Sequence, residues 1–148
     1  FDLLAGGEDS ILQKALVDSG KAVHLEVTLE PTYETNLGLL FVTIPKPDTH
    51  DAVYQLIRKE IDALTIATIK PYLKKTIAKV LMQEALEREN SLSYVSALVE
   101  YVAAGAWEAF FDSEKILKAI TAQDILARIR ELADSKNVTL GYFKGTKK

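Results

Sequence analysis

The sequence predicts an α+β fold, an antiparallel sheet packed against several helices that cover it mainly on one side. Three observations predict it. Apolar residues fall at every second position over residues 23–30, and the apolar run of residues 37–44 follows after a short break. The rhythm then changes to the three-to-four spacing of amphipathic helices for most of the remaining chain. A last β-type stretch, residues 138–143, closes the pattern. With 148 residues and 48% hydrophobic side chains, the chain is long enough to bury one core.

Each element has a local reason. Gly6 and Gly7 make a break before Ser10, which with Gln13 has the spacing of a capping box. Ile11, Leu12, Ala15 and Leu16 then share one helical face, and Gly20 is placed to stop the helix. Val23, Leu25, Val27 and Leu29 alternate with His24, Glu26, Thr28 and Glu30, the pattern of a strand with one buried face. Pro31 and Asn36 bracket a turn, and residues 37–44, apolar on both faces, read as a central strand. Pro45 and Pro47 end it, and Asp48 or Thr49 can cap a helix whose stripe is Val53, Leu56, Ile57, Ile61 and Leu64.

Thr68 is the expected cap of a long helix in which Pro71 is tolerated as a first-turn residue. Leu73, Ile77, Val80, Leu81 and Leu86 form its inner side. A further helix from Ser91 carries Val95, Leu98, Val99 and Val102 and stops at Gly105. Residues 116–120 continue helically, and Thr121 with Asp124 resembles a second capping box before Ile125, Ile129 and Leu132. Residues 138–143 form the last strand of a domain spanning 1–143, and residues 144–148 read as a tail or linker. Two adjacent strands plus one make a thin sheet, and Phe1-Asp2 is not a natural start. Strands preceding residue 1 are therefore expected, with the chain a processed or excised piece.

Most function classes find no support. The net charge is −3 with no basic block, which gives nucleic acid no support as a partner. The longest apolar runs are too short for membrane insertion. Cysteine is absent, which removes disulfides, thiolate metal sites and cysteine nucleophiles. Only His24 and His50 remain, and neither has a second histidine at helical spacing, so no zinc signature is present. His24 is expected on the exposed side of its strand, and His50 in the first turn of a helix.

Ser10 lacks the flanking glycines of a nucleophile elbow, and Gly6-Gly7 lacks the spaced glycines and lysine of a phosphate loop. Glu84, Glu87, Arg88 and Glu89 read as a solvated helix face with an i,i+4 pair, Glu84 with Arg88. Asn137-Val-Thr139 fits the N-glycosylation pattern, which is common by chance, and a strand edge is the preferred account. Trp107, Phe110 and Phe111 could form a stacking platform, yet a tryptophan just past a helix-stopping glycine packs back on that helix, so core is preferred. No catalytic, cofactor-binding or metal-binding residue is assigned.

Four stretches together resemble one family, the pitrilysin/insulinase-like (M16) zinc metallopeptidases, and specifically their long bacterial members. They are SILQKALVDSGKA at residues 10–22, LVEYVAAGAWEAFF at 98–111, ITAQDI at 120–125 and NVTLGYF at 137–143. The resemblance implies a LuxS/MPP-like α+β unit, one of several homologous units that close like a clamshell around peptide substrates. The family's first unit holds zinc through an H-x-x-E-H motif, whose glutamate is the general base. That motif is absent here, so the resemblance implies the non-catalytic second unit, with zinc expected only in an upstream domain. The arginine and tyrosine that the family's second half directs at substrate would fall near Leu40 and Asp51, and neither side chain is present.

The implied role is a structural, substrate-chamber domain of a peptidase, partnered with the zinc-bearing unit, the second half and peptide substrate. The implied compartment is the bacterial periplasm, with the cytoplasm as the other option. The alternative is a domain of an inactive scaffold or partner subunit. A third class is a small-molecule module with a pocket lined by Trp107 and Phe110.

Overall fold

The computed structural model describes residues 1–30, 37–46, 49–134 and 136–143. The expected turn between Pro31 and Asn36, the positions Pro47 and Asp48, and the tail 144–148 lie outside the described residues.

A short helix α1 (Asp2–Ala5) leads to a π-helical segment, Gln13–Asp18. Gly20 ends that segment at φ 71, donating its N–H to Val17 O while the Lys21 N–H reaches Leu16 O. These are the paired bonds of a Schellman stop, which requires left-handed backbone at the glycine. The Ser10–Gln13 capping box does not form. The residue at the N-terminus of the π-helical segment makes no side-chain cap bond, and the Ser10 hydroxyl is buried without a partner.

Strands β1 (His24–Glu30) and β2 (Leu37–Thr43) pair antiparallel, in the register that sets Leu25 opposite Val42 and Val27 opposite Leu40. Leu25 and half-buried Val27 and Val42 turn inward onto Ala5, Leu12, Leu16, Ala22 and Val53. Helices thus cover one face of an antiparallel ribbon, the α+β architecture read from the sequence. Two details differ. Val23 and Leu29 are exposed, because the ribbon outruns its helical cover at both ends. The expected central strand, β2, is instead one of two edges in a two-stranded sheet among the described residues, with Leu37 and Phe41 exposed. Continuous apolarity anticipated cover on both faces, and this chain's own helices reach only one.

Helix α2 (His50–Asp62) follows, then α3 (Ile66–Glu89), α4 (Ser91–Ala103), α5 (Trp107–Phe111), α6 (Ser113–Ala119) and α7 (Ala122–Leu132). A second core cluster joins Leu3, Leu64, Ile69 and Leu73 to Ala122, Leu126 and Ile129, tying α1 and α3 to α7. Half-buried Leu4 packs against both clusters.

The cap of α3 is Thr65, three residues before the expected Thr68. The two threonines form a reciprocal capping box, with Thr68 N donating to Thr65 Oγ1 at 3.2 Å and Thr65 N donating to Thr68 Oγ1 at 2.9 Å. Pro71 therefore sits inside the helix, past its first turn. The box at the start of α7 forms as expected: Asp124 N donates to Thr121 Oγ1 and Thr121 N to Asp124 Oδ2.

The distal half of α3 leaves the core, so Leu86, expected inside, is exposed. On α4 only Leu98 of the expected stripe is half-buried, while Val95, Val99 and Val102 face out. Residues 138–143 form no ladder. A strand exists only through a hydrogen-bonded neighbour, and the alternation there finds none among the described residues. Asn137 accordingly is not at a strand edge; its Nδ2 donates to Glu131 O at 2.8 Å, closing the end of α7.

Candidate functional site

Three places gather polar or aromatic side chains, and each is held by a different part of the fold.

The first is at the start of α2. His50 occupies its first turn, as expected, half-buried with Nδ1 unpartnered. Its ring lies 5.1 Å from that of Tyr142, and the Tyr142 hydroxyl donates to Asp51 Oδ1 at 2.6 Å. That bond, more than partial burial and the nearby charges of Asp51 and Tyr54, holds the Tyr142 phenol above its usual range. The carboxylate stabilises the protonated phenol, so this is a tie between the C-terminal segment and α2. A general base would need the opposite shift, toward neutrality.

The second is a bridge between α3 and α6. Glu84 and Arg88 form the expected i,i+4 pair at 3.8 Å. They are not merely a solvated face, because buried Ser113 sits between them. Its Oγ donates to Glu84 Oε2 at 2.9 Å and accepts from Arg88 Nη2 at 3.2 Å. Sequence spacing could show the pair but not Ser113, which lies 25 residues beyond Arg88.

The third is the aromatic junction. Gly105, at φ 70, ends α4 with a second Schellman stop, its N–H bonded to Val102 O and the Ala106 N–H to Tyr101 O. Phe110 is buried edge-on against Tyr94 and Tyr101, with ring centroids 5.1 and 5.5 Å away. That part of the core expectation holds. Trp107 does not pack back on α4 as core: it is 53% exposed and stacks edge-on with Phe111, itself 58% exposed.

Metal chemistry needs convergent ligands, and the described residues do not assemble them. His24 is exposed on β1, with its Nε2 3.9 Å from Glu26 Oε2. His50 is on a different element, and no group of three or more His, Asp or Glu side chains among the described residues could hold a metal ion. The described residues do not assemble a set that fits zinc. Two shallow grooves are open to solvent. One is lined by Arg58, Asp62, Arg130 and Asp134, the other by Asp2, Asp9, Tyr72, Lys75 and Lys79, so neither involves Trp107 or Phe110. Among the described residues no helix is long and apolar enough to cross a membrane.

The chain is thus an α+β domain in which Ser113 ties α3 to α6 and Tyr142 ties the C-terminal segment to α2. Its sequence matches no family model and no curated protein. Its fold does have a counterpart. A chain from Bordetella pertussis Tohama I, described as a "putative zinc protease", superposes with a TM-score of 0.79 at 19% identity, over 98% of this chain and 81% of that one. This chain shares the α+β fold of that chain.

Proposed function

We propose that this chain is a non-catalytic structural domain of an M16-type zinc metallopeptidase, supporting the zinc-bearing unit and forming part of the wall of the peptide chamber. The observation that carries it is the fold likeness to the Bordetella chain over nearly the whole length, joined to the four resembling stretches. The scattered placement of His24 and His50 supports a non-catalytic role for the chain itself. Zinc then belongs to a separate upstream unit, the partners are that unit, the second half and peptide substrate, and the compartment is the periplasm.

The test is direct. The purified chain should take up no stoichiometric zinc and cleave no peptide from a mixed library. Chelator-sensitive cleavage by the chain alone would refute the proposal. The scaffold alternative separates on one further datum, an H-x-x-E-H motif in the gene upstream of Phe1, which the peptidase reading requires.

A further inference from the structure

We propose that residues 138–143 of one copy add as a strand to the free edge of β2 in a second copy, reciprocally, an inference independent of any peptidase role. Two unmet needs within the chain carry it. Among the described residues β2 is hydrogen-bonded to β1 on one side only, and from Leu37 to Thr43 it has neither a charge nor a proline. Soluble proteins guard such edges with charge. The free edge of β1 is guarded in that way, with His24 and Glu26 3.9 Å apart, and that of β2 is bare. A bare ladder edge specifies its occupant, because only an extended backbone pairs with its row of N–H and C=O groups.

Residues 138–143 have the sequence of a strand and lack a ladder. Val138, Leu140 and Tyr142 alternate with Thr139, Gly141 and Phe143, and all six are exposed, Phe143 to 93%. Their backbone makes no hydrogen bond to another described residue. Within one chain this segment and β2 do not pair. The Tyr142 hydroxyl on Asp51 and its ring against His50 hold the segment at the first turn of α2, and the described sheet contains only β1 and β2. Each copy therefore brings one donor segment and one acceptor edge, and a two-fold exchange satisfies both at once. Neither strand carries a charge, so no like charges meet across either ladder. Pairing of β2 with β2 of the second copy would leave residues 138–143 without a ladder, so the segment is the favoured occupant.

Sedimentation equilibrium and amide hydrogen exchange of the whole chain, over one concentration series, test this. The wild type should approach twice its 16.4 kDa mass. Exchange at residues 37–43 and 138–143 should slow together, at least about tenfold, as the dimer forms. Leu140→Pro removes a ladder donor and leaves Tyr142 in place, and Phe41→Lys puts a charge on the bare edge at a side chain exposed in the single chain. Each should raise the dissociation constant at least about tenfold. Leu37→Lys, equally exposed, replaces Phe41→Lys if that variant fails to fold. Val99→Glu, on the exposed side of α4, should leave the dimer intact. A monomer at every concentration overturns the proposal, as does a dimer in which residues 138–143 gain no protection. A dimer that survives Leu140→Pro but is lost with the β2 variant, which is β2 pairing with itself, overturns it too, as does one lost only with Val99→Glu.

Discussion

Ser113→Ala distinguishes a structural tie from a solvated charge pair. The hydroxyl makes two hydrogen bonds to charged groups, to Glu84 at 2.9 Å and from Arg88 at 3.2 Å. Bonds of that kind contribute about 1.5–3 kcal/mol each when shielded. Here the Arg88 side chain is 45% exposed and that of Glu84 26%, so water replaces part of what is lost. Discounting by about half leaves a cost of about 2 kcal/mol. In a chain of 148 residues that lowers Tm by about 6 °C. Urea unfolding followed by circular dichroism measures it, with the slope m unchanged if the native state keeps its compactness. A double-mutant cycle with Arg88→Ala should give a coupling of about 1 kcal/mol. If Ser113→Ala costs less than about 0.5 kcal/mol and the two changes add, Glu84 and Arg88 are an ordinary surface pair, and the α3–α6 bridge is energetically irrelevant.

Two further outcomes follow from the packing and the hydrogen bonds. Leu16→Ala should cost about 3–4 kcal/mol, because Leu16, on the π-helical segment, is fully buried in the cluster with Ala5, Leu12, Ala22, Leu25 and Val53 and would leave a cavity there; thermal melting reads it as a fall of about 10 °C. The Tyr142–Asp51 tie depends on a protonated phenol, so its stabilisation is present below the ordinary tyrosine range and lost as pH rises through the elevated folded pKa. Asp51→Asn should return Tyr142 toward pH 10, seen as the difference in tyrosinate absorbance between this variant with and without Tyr142→Phe. An unmoved titration would show that the carboxylate does not hold the phenol.

By itself the sequence determined what depends on neighbours along the chain. The Gly20 and Gly105 stops, the Thr121–Asp124 box and the alternation that became β1 are local, because each is set by backbone sterics and hydrogen bonds within a few residues. The Thr65–Thr68 box shows the limit of such reading: either threonine could cap, and the folded chain used the earlier one. The α+β fold that the sequence resemblance implies is the fold observed, and the Bordetella chain shares it.

What an apolar stripe faces was decided only by the tertiary structure. Periodicity gives a stripe its direction around a helix or strand but not its neighbour. Val95, Val99 and Val102 were thus indistinguishable from core until α4 turned Tyr94 and Tyr101 inward instead. The alternation of residues 138–143 likewise called for a ladder that no described strand provides. Ser113 entered the Glu84–Arg88 pair, and Tyr142 reached Asp51, across separations of 25 to 91 residues. Contacts at such separations depend on how whole helices pack, and pairwise spacing in the sequence carries no trace of that.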